Sequence, residues 1–251
     1  MSLAKLPILV VVFFVTSIVS VVTGSTSLIT VPVMIALGIE AHVAIATNMM
    51  ALTFMSAGGS LPFVSRGVIS RRHLLPAIAL TVVGSSLGAW VLTAVPLRAL
   101  QLVIAVAMLA VAAFSLLNRN MGEATQSIMP SRAVQATGYA VTFLLAIYGG
   151  FFSGGYVTLL TAAFTVFLGM TFLQAIATTK VVNVFSSAVA TLVFLYRGVV
   201  DLKLGIGLGA VMFLGALLGS RLTLLLNAIW LRWIFIAAVF CLAIRMLIPW
   251  H

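Results

Sequence analysis

The chain repeats itself. Leu37-Gly38 and Ala44-Ile45-Ala46-Thr47 recur as Leu168-Gly169 and Ala175-Ile176-Ala177-Thr178, at a constant offset of 131 residues. The register holds for Arg66-Gly67-Val68 against Arg197-Gly198-Val199, and for Gly84 and Gly88 against Gly215 and Gly219. Fourteen of the 34 positions from Leu37 to Ser70 are identical at that shift. Such a chain is expected to fold as two copies of one unit, and duplicated apolar chains are a usual way to build a membrane transporter.

The repeat is apolar enough to make the bilayer its solvent. The sequence is 63% hydrophobic and 6% charged, where a soluble domain carries about a quarter charged residues. At ~20 apolar residues per crossing, 251 residues hold roughly eight spans and no separate soluble domain. The expected fold is an all-α polytopic membrane protein in two tandem four-span repeats, residues 1–117 and 133–251, joined by a cytoplasmic linker at 118–132. The expected apolar segments are Leu6–Leu37, Ala41–Val64, His73–Val95 and Leu97–Leu117, then Ala133–Leu168, Phe172–Leu195, Leu204–Leu225 and Ala228–Ile248. Lys5 followed by Leu6 to Val22 resembles a secretory signal, but its counterpart in the second copy, Ala136 to Phe152, argues for a retained span.

The first segment of each copy is too long for one straight crossing. Glycine and hydroxyl residues interrupt it at Gly24-Ser25-Thr26-Ser27 and at Ser153-Gly154-Gly155. Such breaks must face protein or a wet cavity, because unsatisfied backbone groups in lipid are costly. Broken segments at matching positions of two halves are the best sequence pointer to a binding site.

Orientation rests on the basic residues. With each interrupted segment counted as one crossing, Lys5, Arg66, Arg71, Arg72, Arg119, Arg132, Arg197, Lys203 and Arg245 fall on one side and Arg98, Arg221 and Arg232 on the other. That bias puts both termini in the cytoplasm and makes the repeats parallel. If each break is a full hairpin, the repeats are inverted and the basic loops Arg66–Arg72 and Arg197–Lys203 lie on opposite faces; the charge bias speaks against this. A half-depth re-entrant hairpin also changes the parity.

Net charge of +10 sits mainly at span ends, without a basic cluster interleaved with aromatics, so no nucleic-acid partner is expected. Cys241 is the single cysteine, which excludes an intrachain disulfide. Gly84-x-x-x-Gly88 and Gly215-x-x-x-Gly219 are helix-packing faces, and Trp90, Trp230, Trp233 and Trp250 read as interface anchors. Small-residue faces serve within and between chains alike, which leaves a homo-oligomer open.

One residue stands out chemically. Lys180 lies eight residues beyond Phe172 in an apolar helix, ~12 Å along its axis. The three carboxylates, Glu40, Glu123 and Asp201, all fall in loops. An intramembrane cation without an internal counter-ion invites an anionic substrate; the plainer alternatives are a lysine reaching the interface or bonded to backbone carbonyls. Beside Lys180, Thr179, Asn183 and Ser187 form one stripe of the helix at spacings of four, and Asn48, Ser56 and Ser60, with Thr47 beside them, form a comparable stripe in the first copy. Helix starts after Ser25-Thr26-Ser27 and at Gly154-Gly155-Tyr156 would add backbone donors and positive dipole ends. The expected substrate-binding set is therefore Lys180, Asn183, Thr178, Thr179, Thr47, Asn48, Ser25, Thr26, Ser27, Gly154, Gly155 and Tyr156. Helix–helix hydrogen bonding explains many of the same residue types equally well.

Enzymatic readings fail. His42 and His73 sit at span ends and His251 is terminal, so Ser153 lacks a base at depth. No cluster of metal ligands and no nucleotide loop is present in the sequence. No cofactor or metal is expected.

The duplicated four-span unit, the Leu-Gly then Ala-x-Ala-Thr pattern, the Arg-Gly-Val turn, and the stretches Gly149–Tyr156 and Ala175–Asn183 resemble the TauE/SafE family of sulfite and organosulfonate exporters, also grouped as toluene sulfonate uptake permeases. The resemblance covers nearly the whole chain. It implies a transporter of small anions in the plasma membrane, the bacterial inner membrane. Members usually carry three glycines before a proline in the first break; here Thr23-Gly24-Ser25-Thr26-Ser27 precedes Pro32, which favours side-chain donation over close backbone approach.

The function expected is transport of a small anion, sulfite or an organosulfonate, bound between the copies near the bilayer midplane. Export follows from a cytoplasm-negative potential, which drives an anion outward by about 2.3 kcal/mol per charge per 100 mV. An anion channel, uptake by proton or sodium symport, and a non-transport scaffold subunit remain open at this point.

Overall fold

The computed structural model describes residues 6–24, 26–96 and 130–225. These residues form an all-helical bundle: α1 (Leu6–Thr23), α2 (Ser27–Ala36), α3 (Ala41–Ser65), α4 (Arg71–Ala94), α5 (Arg132–Phe151), α6 (Tyr156–Leu168), α7 (Phe172–Tyr196) and α8 (Leu202–Leu225). The expected spans at Leu97–Leu117 and Ala228–Ile248, the linker residues 118–129, Trp230, Trp233, Trp250 and Cys241 lie outside the described residues.

Both interrupted segments are broken into two helices, as their glycines dictate. Gly24 and Gly155 have φ of 70° and 78°, Gly38 and Gly169 90° and 65°, and Gly67 and Gly198 64° and 67°. These are left-handed positions where a side chain is strained and glycine is not. They are all the positive-φ residues among those described, and they fall in three pairs 131 apart. Two other helix starts are fixed by side chains: Thr171 and Gln174 form a reciprocal capping box on α7, and Ser131 caps α5.

Close contacts fix the directions of the helices. Gly138 in the first half of α5 packs on Phe167 and Leu168 at the end of α6, and Gly149 near the end of α5 packs on Tyr156 at the start of α6. Each stretch covers about 17 Å at 1.5 Å per residue, so α6 doubles back along α5. Gly205 meets Met50, Gly209 meets Phe54, and Gly58 meets Phe213, so α3 and α8 run the same way. Gly215 meets Phe14 and Ser17 while Gly219 meets Ile18 and Val21, so α1 runs with α8 too. Since α1 and α3 share a direction, α2 returns between them. By the same test α4 runs with α5, pairing Gly84 with Ala146 and Gly88 with Ile147 and Phe151. α3 and α7 are antiparallel: Asn183 bonds Ser56 and Thr191 faces Thr53.

These directions correct two expectations. The interrupted segments are not single in-line crossings but hairpins. The turns at Arg66–Ser70 and Arg197–Asp201 lie at opposite ends of the bundle, not on one side, because they end two antiparallel helices. Arg66, Arg71, Arg72, Arg132 and Arg221 gather at one end; Arg197 and Lys203, with Glu40 and Asp201, gather at the other, where α1 begins. Charge counting failed because it assumed the parity of the breaks.

Five helices, α1, α4, α5, α7 and α8, are long and apolar enough to cross a membrane, and α2 and α6 are shorter. Helix α3 is 25 residues long yet is not among the five, because its buried faces carry Thr47, Asn48, Ser56 and Ser60. It packs against α2, α7 and α8, so protein shields those groups. The outward faces carry Leu75, Leu144, Leu192 and Val11, all strongly exposed, a surface suited to lipid. At the end of α4, Arg197 lies 4.6 Å over the Trp90 ring, and Tyr196 tilts against the same ring, an arrangement suited to an interface anchor.

Candidate functional site

The two hairpins meet tip to tip. A Cβ on Gly24, at the tip of α1–α2, would stand 2.7 Å from the Thr158 amide nitrogen and 2.8 Å from Val157 in the first turn of α6. Gly154, in the other tip, packs as tightly on Leu28 in the first turn of α2. Thr158 Oγ1 donates to the Thr23 carbonyl at 2.5 Å. The starts of α2 and α6 and the ends of α1 and α5 thus converge inside the bundle. Gly155 caps α6, and the Tyr148 hydroxyl donates to the Gly154 carbonyl.

Lys180 reaches this junction. It is 1% exposed, and its Nζ donates to the Ser20 carbonyl at 2.9 Å. The same oxygen accepts the Gly24 amide at 2.9 Å. Ser20 lies in the last turn of α1, where unpaired carbonyls and the helix dipole favour a cation. The ammonium is therefore neither at a headgroup nor without a partner. Among the described residues it has no carboxylate partner: Glu40 pairs with His42 at 3.0 Å and Asp201 accepts the Leu204 amide at 3.0 Å; Glu123 lies outside the described residues. Gly59 lies alongside the lysine stem, 3.8 Å from its Cδ by the position a Cβ would take.

The other expected site residues divide. Thr179 and Asn183 flank Lys180 on α7 and are buried; Thr179 Oγ1 and Asn183 Oδ1 have no hydrogen-bond partner, while Asn183 Nδ2 donates to Ser56 Oγ at 2.7 Å. A half-turn of the amide exchanges its two ends, so Asn183 can offer Nδ2 to an anion while Oδ1 accepts the Ser56 hydroxyl. Thr26 sits at the tip, donating to Ser20 Oγ at 2.5 Å beside the Met55 sulfur. Gly154 and Gly155 form the opposite tip, and the Tyr156 hydroxyl is buried without a hydrogen bond.

Four of the expected residues make hydrogen bonds elsewhere. Asn48 donates to Ser27 Oγ at 2.9 Å and accepts Thr30 Oγ1 at 2.8 Å, tying α3 to α2; this occupies Ser27 as well. Thr178 Oγ1 accepts the Ser70 amide and Thr47 Oγ1 the Asp201 amide, so both hold turns at the ends of neighbouring helices. Ser25 lies outside the described residues. Sequence reasoning allowed Lys180 a backbone carbonyl as partner, as found, but did not single out Ser20, because which helix end the side chain meets depends on packing. The signal was available in Gly24, which marks where α1 must stop.

A donor-lined junction around one buried ammonium can hold a small anion, with Nζ supplying charge and Thr179 and Asn183 supplying directed hydrogen bonds. The family model for the sulfite exporter TauE/SafE matches residues 8–246. A "Probable membrane transporter protein ORF9" from Sinorhizobium sp is 30% identical over 244 residues, 96% of this chain and 92% of the relative. A "Probable membrane transporter protein" of Haemophilus influenzae is 26% identical over 87% of this chain and 85% of its own length. "Probable membrane transporter protein YfcA" of Escherichia coli K12 is 28% identical over 81% of this chain and 75% of its own length. No solved structure matches the chain significantly. With the helices apolar and the match nearly end to end, the chain belongs to the TauE/SafE sulfite exporter family of multi-pass membrane transporters.

Proposed function

We propose that this chain carries a small anion, sulfite or an organosulfonate, out of the cell across the bacterial inner membrane, and that the anion binds beside Lys180 where the hairpin tips meet. The observation that carries this reading is a lysine 1% exposed whose bond, among the described residues, is to a helix-end carbonyl. An anion arriving there gains a charge-assisted hydrogen bond and relieves an uncompensated buried cation. The reading is one of transport, not of catalysis.

The two copies are read as inverted repeats. The left-handed glycines paired 131 apart and the antiparallel course of the corresponding helices α3 and α7 support it, since a twofold axis in the membrane plane reverses equivalent helices. The end bearing Arg66, Arg71, Arg72, Arg132 and Arg221 is assigned to the cytoplasm. That orientation starts α1 at the outer face, in place of an N-terminus inside.

The test is flux of radiolabelled sulfite from proteoliposomes holding the full chain. Lys180→Met is expected to lower flux by roughly 10- to 100-fold, the value of a hydrogen bond to a charged group. Thermal stability should hold, because an apolar side chain of similar length replaces a buried charge. Flux equal to that of the parent protein would remove the lysine from the site.

A further inference from the structure

Among the described residues, four buried side-chain polar atoms lack a hydrogen-bond partner: Thr81 Oγ1, Tyr156 OH, Thr179 Oγ1 and Asn183 Oδ1. They are not scattered. Thr179 and Asn183 lie four apart on α7, and Ser186, three further on, continues the same face. The Tyr156 hydroxyl lies within reach of both Ser186 and Thr81 of α4, close enough for weak contacts but without hydrogen-bond geometry to either. Ser186 exchanges a hydrogen bond of 2.7 Å with Ser85, which also reaches the Ala146 carbonyl at 3.1 Å. Tyr156, Thr81 and Ser85 are 0% exposed and Ser186 is 2% exposed.

Other buried hydroxyls in the bundle do not behave this way. Thr30, Thr142, Thr161 and Thr191 each donate to the carbonyl four residues back on their own helix, the usual means of satisfying a hydroxyl in an apolar setting. The Thr81 and Tyr156 hydroxyls, though near each other, form no such bond, whereas buried polar groups are normally paired.

We propose that Tyr156, Thr81 and Ser186 form a second station for a small anion, reached from Lys180 along the α7 face through Thr179 and Asn183. Tyr156 and Thr81 can turn their protons towards one guest, and Ser186 can join them when Ser85 gives its proton to Ser186 instead of to the Ala146 carbonyl. Tyr156 is the first residue of α6, whose positive end adds to the attraction. A metal cation suits the place poorly: among the described residues no carboxylate lines it, and Lys180 already puts positive charge on the same helix. Two stations let an anion bind and still leave, since each alone holds it less firmly than one deep site would. The identity of the guest rests on the proposed function; the location rests on the unpaired hydroxyls.

Selenite, the selenium analogue of sulfite, locates the guest by its anomalous scattering in crystals of the full chain. The expected result is selenium in contact with the Tyr156 hydroxyl, lost in Tyr156→Phe and Thr81→Val crystals, with a separate peak at Lys180. Both variants should lower sulfite flux about tenfold, the scale of one hydrogen bond to a charged group. Selenium at Lys180 alone, with a water among the three hydroxyls, overturns the second station and leaves the lysine site standing. Selenium at Tyr156 alone does the reverse. Selenium at neither sinks both.

Discussion

Thr178 Oγ1 accepts the backbone amide of Ser70 at 3.1 Å, across the ends of two neighbouring helices. Thr47 Oγ1 does the same for Asp201 at 3.0 Å. The threonines stand 131 residues apart, and so do the amides. Each hydroxyl holds the turn that starts α4 or α8 against the first turns of α7 or α3. Both threonines are therefore structural fasteners. Thr47→Val and Thr178→Val should each cost about 1 kcal/mol of stability, and the double variant their sum, since the two sites share no partner. Sulfite affinity of the folded protein should not change. A large loss of affinity without loss of thermal stability would return the pair to the binding site.

The sequence made the architecture partly legible. A period of 131, the apolar composition and the glycine interruptions gave the all-helical class and the places where the first segment of each copy breaks. Helix direction after each break was not legible, because Gly24 and Gly155 permit both a kink and a reversal. What decides for reversal is packing far along the chain: Gly138 on Phe167 and Gly149 on Tyr156. The candidate site divided in the same way. Lys180, Thr179 and Asn183 were visible as polar residues at helical spacing. That Asn48 is occupied by Ser27 and Thr30, and that Lys180 has a carbonyl partner, depends on which helices meet, which no spacing rule encodes.

Topology can be tested directly. In a Cys241→Ser background, single cysteines at Gly67 and Gly198 report on the two turns. A Cβ at either position meets nothing within 4 Å, although the left-handed backbone adds strain. A membrane-impermeant thiol reagent applied from outside should label the cysteine at 198 and spare the one at 67. Equal labelling of both would contradict the antiparallel course of α3 and α7, and labelling of 67 alone would reverse the assigned orientation.

Asn183→Asp asks whether the guest is an anion. The new carboxylate would stand one turn from Lys180 and supply an internal counter-ion, which none of the described residues provides. Sulfite binding should weaken by at least about tenfold, as an opposite charge within reach of the lysine replaces the guest. Asn183→Gln should lose less. Unchanged or tighter sulfite binding with the aspartate would mean that the anion does not bind beside Lys180 and Asn183.

Gly24→Ala tests the contact between tips. The added methyl group meets the Thr158 nitrogen at 2.7 Å and Val157 at 2.8 Å, at a backbone angle of +70°. Overpacking of this kind costs about 1–3 kcal/mol, with strain of similar size for a left-handed non-glycine residue. A drop in thermal stability together with lost flux is expected. Gly207→Ala, in open space on α8, should change neither. Wild-type behaviour of Gly24→Ala would mean that the tips are not in contact.

The Ser20 carbonyl serves two donors at once, the Gly24 amide and the Lys180 ammonium. An oxygen with two lone pairs that loses one donor keeps the other, so the lysine can withdraw without orphaning the backbone at the hairpin tip. The cost of letting go then falls on the ammonium alone, and a visiting oxyanion offsets that cost on arrival. Cargo itself would act as the release key: the helix end stays folded whether the lysine is docked or engaged, and the side chain can swing between two hosts within an otherwise rigid frame.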